Sequence, residues 1–237
     1  MTITSKYIIT VFVILFSSQS IFSQEPDPYL VLEEIEARLE IIQDYQVDLT
    51  IELDVDFINM PVKHAVMYYK QPSKVRIKSD DFLLLPKKGF DFSLRELLNE
   101  DYSAVFVGTE VIHNKNHYLI KVIPLEKRSK LVLANLWISE EELQIMKLEN
   151  YTKKRGSYIV DFTYAYEFTD LPSRMLITFE VEDFHFPVKF MGKGVEVDKE
   201  KLKEEGPKTG SVIFFFTDYV LNPGLEESVF DDAVEER

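Results

Sequence analysis

The stretch "VDLTIELDVDFI", residues 47–58, decides how the rest of the chain is read. Val47, Leu49, Ile51, Leu53, Val55 and Phe57 alternate with Asp48, Thr50, Glu52, Asp54 and Asp56. A period of two puts every apolar side chain of a strand on one face and every acid on the other. A sheet with one dry face and one wet face is antiparallel in type, because parallel sheets are covered on both sides.

Upstream of this strand lies a helix. Asp27 and Pro28 have the chemistry of an N-cap and first helical residue. Leu32, Ile35, Leu39 and Ile42 then recur at steps of three and four, with Glu33, Glu34, Glu36, Arg38 and Glu40 between them. The pattern predicts one amphipathic helix whose apolar stripe covers the dry face of the sheet.

Downstream the strands continue. "VKHAVMYYKQ" and "KVRIKS" flank a turn at "QPS". "FSLRELLNED" carries Ser93 and Glu96 at capping-box spacing and predicts a short helix over about 93–100. Six further apolar runs follow, from "SAVFVGTEVI" to "SRMLITFEV", separated by the turn sequences "HNKN", "SEEE", "KKRG" and "TDLP". They read as a long antiparallel meander. Residues 182–210 interrupt it with glycine, proline and lysine–glutamate runs, and with a short helix near 197–205. "SVIFFFTDYVLN" is the last strand, and residues 226–237 form an acidic tail. No composition shift separates two domains, so 24–237 reads as one domain. The expected fold class is α+β: a curled antiparallel sheet of about 10–11 strands, a half-open barrel. The N-terminal helix and a short helix lie on its concave face.

Composition narrows the function. The 237 residues carry 41 acids against 27 bases, a formal charge of −14, which disfavours nucleic acid as a partner. Residues 1–23 combine Lys6, the apolar run Tyr7–Phe16 and a polar stretch ending at Ser23. That run is too short to span a bilayer and has the form of a secretory signal peptide, cleaved near Ser23. Cysteine is absent, which removes disulfides, thiolate metal sites and a lipidated cysteine as an anchor. The expected location is therefore the periplasm, with the signal peptide cleaved and no lipid anchor.

Catalytic chemistry has little to stand on. His113 and His117 flank a hairpin turn; a metal needs a third or fourth ligand and Glu110 is the one obvious candidate nearby, so a solvated hairpin tip is the better reading. There is no serine-hydrolase elbow and no glycine-rich phosphate loop. No catalytic residue, metal site or cofactor is expected, and the chain is read as a non-enzyme. The aromatics are more telling: 18 Phe, 12 Tyr and 1 Trp, gathered in "YYK", "DFTYAYEF", "DFHFPVKF" and "VIFFFTDY". They fit either an ordinary β core with aromatic cross-strand pairs or a concave cavity for an apolar ligand.

Several stretches together carry a resemblance. "IIQDYQVDLTIEL" follows the first helix and "MYYKQPSKVRIKS" forms an early strand–turn–strand. "HYLIKVIPL", the run from "LWISEEELQIMKLENYT" to "LPSRMLITFE" and the ending "FTDYVLNPGLEESVF" complete it. Over roughly residues 28–231 the chain resembles the LolA/LolB-like periplasmic lipoprotein carriers. Those carriers often have an arginine just before the turn proline, where this chain has Gln71, with Arg76 displaced to the next strand. The resemblance implies a half-open barrel with an apolar cavity for lipid or lipoprotein acyl chains, in outer-membrane lipoprotein sorting. It implies Lys70, Lys74, Arg76 and Lys78 on the outer or rim face. The expected ligand-facing positions are Phe57, Tyr68, Val75, Ile77, Ile120, Trp137, Ile177 and Phe216. The alternative is a cell-envelope sensor, regulator or scaffold that binds a protein partner on the same half-barrel.

Overall fold

The computed structural model describes residues 25–79, 101–126, 129–153, 156–165, 170–181, 194–204 and 206–231. The expected signal peptide, the helix expected over 93–100, much of the 182–210 excursion and the end of the acidic tail lie outside these residues.

Helix α1 spans Pro28–Glu40. Asp27 caps it, its carboxylate accepting from the Tyr29 N–H at 2.9 Å. Val31, Leu32 and Ile35 are buried beneath the helix. Next come β1 (Asp44–Asp54), the short β2 (Ile58–Asn59), β3 (Lys63–Lys70) and β4 (Lys74–Lys78). The meander follows as β5 (Tyr102–Ile112), β6 (Lys115–Pro124), β7 (Leu131–Ser139), β8 (Ile145–Thr152), β9 (Ser157–Tyr164) and β10 (Pro172–Val181). The chain then forms β11 (Glu196–Val197), the five-residue helix α2 (Lys199–Lys203) and β12 (Lys208–Leu221).

Ten strands make one antiparallel sheet in the order β4-β3-β1-β12-β10-β9-β8-β7-β6-β5. The sheet is not closed among the described residues: β4 and β5 are its two ends. The meander from β5 to β10 is as the sequence predicts. The last strand, however, inserts between β1 and β10 and so joins the meander to the first three strands.

The cross-strand register lines up apolar rows on one face. One row runs Ile120, Leu136, Leu148, Val160, Ile177 and Val212 across six adjacent strands. All but Val212 are almost fully buried, and the whole row belongs to the core under Leu32 and Ile35 of α1.

The alternation over 47–57 holds as far as Leu53. Beyond it Val55 bridges to Ile58 and the chain turns away. Val55, Phe57 and Ile58 then form a separate small cluster with Leu53, Val197 and Leu202. There β2 pairs with β11 and α2 packs alongside. The helix expected near 197–205 is thus α2, and it sits on this small sheet. Gly210 permits the junction, since a Cβ there would lie 2.5 Å from Val55 Cγ2 and 3.0 Å from the Asp54 carbonyl.

Candidate binding face

Helix α1 is fastened to the sheet at both ends. At its start the Tyr29 ring stacks on Tyr102 at 5.9 Å, and its hydroxyl accepts from the Ala104 N–H at 3.1 Å. Near its end Arg38 pairs with Asp170 at 2.8 Å and donates to the Glu142 carbonyl at 2.9 Å. The last carbonyls of a helix lack intrahelical partners. Here the Gln71 side-chain amide donates to the carbonyls of Glu40 and Ile42, at 3.0 and 2.9 Å. Gln71, which stands where the carriers often have arginine, is thus a clasp for the α1–β1 turn.

The C-terminal segment closes the same end. Asn222 adopts a positive φ of 51°, and its Oδ1 accepts from the Gln43 N–H at 2.7 Å. The buried Asp44 carboxylate accepts from the N–H groups of Gly224 and Leu225, at 3.1 and 2.7 Å. Lys70 donates to the Leu225 carbonyl, and Lys74 and Lys70 both meet Glu227. Those two ammonium groups hold the Glu227 carboxyl below the usual range. Three of the four cations around "KQPSK" are accounted for in this way and by Lys78, which lies over the Tyr68 ring at 5.0 Å.

The eight expected ligand positions divide. Ile120 and Ile177 are buried in the main core, with Phe216 at its margin. Ile77 is on the same face and only partly buried, and Val75 follows it to the rim at 49% exposed. The other three are misplaced. Phe57 belongs to the small cluster. Tyr68 pairs with Arg76, on the cationic face, because the hairpin register sets Tyr69 and not Tyr68 opposite Val75. Trp137 lies between Leu136 and Ile138, which both point into the core, so it faces outward. There its indole donates to Glu110 at 2.7 Å and Lys147 covers its ring at 4.5 Å.

The inner rim holds residues that the sequence reading missed. Tyr45 stacks on Tyr69 at 5.0 Å and meets Tyr219 edge-on at 5.6 Å; Phe216 and Tyr219 stack at 6.3 Å. Asp218, with φ 55°, sits in the irregularity of β12 that returns Tyr219 to the inner side. The Tyr219 hydroxyl donates to the Pro172 carbonyl at 2.8 Å, and burial pushes its pKa well above the ordinary tyrosine range. Tyr164, whose hydroxyl donates to the Ile145 carbonyl at 2.9 Å, is pushed the same way by burial. The parity of Tyr45 with Val47 was the signal available for this rim.

Two polar clefts open at the turn end of the sheet. One, of about 390 Å³, is lined by Arg38, Glu142, Gln144 and Asp170. The other, of about 330 Å³, is lined by Asn114–Asn116 and Ser139–Glu141. His117 is buried, with Nδ1 2.9 Å from the Lys115 carbonyl. Among the described residues no three His, Asp or Glu side chains gather as a metal would need. No described helix is long and apolar enough to cross a membrane.

No protein-family model matches the chain, and no curated protein does. Solved structures do match. A LolA superfamily protein from Nitrosomonas europaea superposes with a TM-score of 0.53 at 12% identity, covering 87% of this chain and 98% of that one. The fold is LolA-like. A domain from Vibrio parahaemolyticus described as an outer membrane lipoprotein-sorting protein gives 0.53 at 15% identity, over 85% and 95%. A DUF1329 family protein from Desulfovibrio piger gives 0.53 at 13%, over 87% and 98%. At these identities the likeness is one of fold. The LolA-like half-barrel here is the ten-stranded open sheet with α1 laid across its apolar side.

Proposed function

We propose that the chain is an exported periplasmic binding protein that carries a hydrophobic ligand, a lipid or a lipoprotein acyl chain, on the inner face of the sheet. One observation carries this reading. Among the described residues one 13-residue helix buries three side chains against a face ten strands wide. Apolar side chains beyond its reach stay partly exposed on that face: Tyr45, Met67 and Ile77 beside Val75 at the β3–β4 edge, and Phe162 and Met175 nearer the middle. Contiguous apolar surface of this kind marks a binding region. The match to a lipoprotein-sorting domain supports the ligand class.

Trp137 faces outward, so its emission is a poor reporter of this face. A displaceable fluorescent fatty acid is the better probe. Wild-type protein purified from a bacterial periplasm is expected to bind it and to carry co-purified lipid in native mass spectrometry. Ile77→Glu is expected to weaken probe binding about tenfold or more, by placing a charge on the apolar face, with an unchanged circular dichroism spectrum. Wild-type protein with neither lipid nor probe bound would sink the carrier reading and leave a protein-binding envelope component in its place.

A further inference from the structure

The β3–β4 edge differs in charge from the chain as a whole. Residues 57–79 contain no Asp or Glu but five Lys or Arg, in a protein with 41 acids and 27 bases. Four of the five, Lys70, Lys74, Arg76 and Lys78, sit on the two strands at one end of the sheet. The hairpin register gathers them on one side. Met67 and Tyr69 oppose Ile77 and Val75 on the apolar inner side, so the four cations lie on the outer side. Among the described residues β4 is the end of the sheet, and this edge presents both sides at once. Lys74 and Lys78 are exposed on one, and on the other Val75 is exposed and Ile77 only partly buried.

Stability does not ask for this cluster. Lys70 and Lys74 are a cross-strand pair, and like charges placed opposite each other repel. The fold answers them with Glu227 of the C-terminal segment, which meets both and keeps 61% of its side chain in water. Asp44, on the same side, is turned onto the N–H groups of Gly224 and Leu225. Exposed ion pairs such as these contribute little to stability, and an external anion can take the place of Glu227. Cations and apolar side chains alternating along one exposed strand match the layering of a bilayer surface, where phosphates lie just outside hydrocarbon. An acidic protein segment would answer the cations alone and leave Val75 and Ile77 without an apolar partner.

We infer that the β3–β4 edge docks on an anionic phospholipid bilayer. Lys70, Lys74, Arg76 and Lys78 meet lipid phosphates, while Val75 and Ile77 open the inner face toward the acyl chains. The inference adds a place of exchange to the carrier reading and is tested apart from it.

Vesicle flotation of the protein purified from the periplasm tests this. Vesicles of equal parts phosphatidylglycerol and phosphatidylcholine are expected to bind it about tenfold more tightly than phosphatidylcholine alone. That is the reverse of what a formal charge of −14 dictates at an anionic surface, and added salt should weaken the binding. Lys74→Gln with Lys78→Gln is expected to lower vesicle binding about tenfold or more, at roughly fivefold per cation, and to leave binding of the fluorescent fatty acid unchanged. Glu227→Gln is expected to strengthen vesicle binding, because it removes the acid that competes with lipid phosphate. Equal binding to the two vesicle types, binding to neither, or full binding by the doubly substituted protein would overturn the inference. Capture by polyglutamate without capture by vesicles would also overturn it and make the edge a site for an acidic protein segment. In each of these cases fatty-acid binding by the wild type leaves the carrier reading standing. Vesicle binding without fatty-acid binding would remove the carrier reading and keep the docking edge.

Discussion

The row from Ile120 to Ile177 and the rim formed by Tyr45, Tyr69, Val75 and Ile77 lie on the same face of one sheet, placed there by the same alternation. Their fates differ. The row is sealed by α1, and Ile120, Leu136 and Val160 have no exposed surface at all. The rim lies beyond the helix, and Val75 keeps half its surface in water. Alternation therefore selects a face, and coverage decides whether a position on it stabilises the fold or remains available to a ligand.

The contrast can be broken or sharpened by substitution. Leu136→Ala is expected to have the largest effect, a loss of about 2–5 kcal/mol in urea unfolding, because the site is sealed and cannot collapse freely. A loss below about 1 kcal/mol would mean that the row is not the structural core. Gly210→Ala comes next, at roughly 1–3 kcal/mol, since the new methyl meets Val55 and the Asp54 carbonyl. Wild-type-like stability in that variant would show the small cluster able to shift away from the sheet.

The rim tyrosine Tyr219 gives a pH test. Its phenol is held neutral in the folded state, so its contribution is complete below the ordinary tyrosine pKa of about 10 and is lost as pH rises from there toward the raised folded value. Alkaline titration followed by phenolate absorbance is expected to show two classes of tyrosine, with Tyr219 and Tyr164 ionising only as the protein unfolds. Tyr219→Phe should flatten the alkaline loss of stability; an unchanged profile would remove Tyr219 from the account. The smallest effect is expected at the open edge. Ile77→Ala should cost no more than about 1 kcal/mol, because the side chain is only partly covered. A cost equal to that of Leu136→Ala would erase the distinction between row and rim.

Much of this was legible in the residues. Asp27–Pro28 and the stripe through Leu32, Ile35 and Leu39 define α1, and Val47–Leu53 defines the inner face of β1. The errors share a cause, which is parity carried across an interruption. Tyr68 and Tyr69 are adjacent, and only the hairpin register, with Lys70 opposite Lys74, tells which of them joins Val75. In "LVLANLWIS" nearly every position is apolar, so period two cannot say that Trp137 looks outward. Phe57 keeps the phase of β1 on paper, but the turn after Val55 takes it into another cluster.

The sequence by itself determined the local elements and the side of each strand, because helical and strand periodicities are properties of neighbouring residues. It also determined that a large antiparallel sheet would be built with the N-terminal helix laid on its apolar side. Tertiary structure alone decided that β12 inserts between β1 and β10, more than 150 residues from its β1 partner. It alone decided that Gln71, Asp44 and Asn222 tie the helix end, the first strand and the C-terminal segment together. Pairing between distant strands rests on loop closure and on the packing of whole faces, and no local run of residues encodes either. The same holds for the boundary between what α1 seals and what it leaves open, which is set by where a helix of 13 residues comes to rest on a sheet wider than itself.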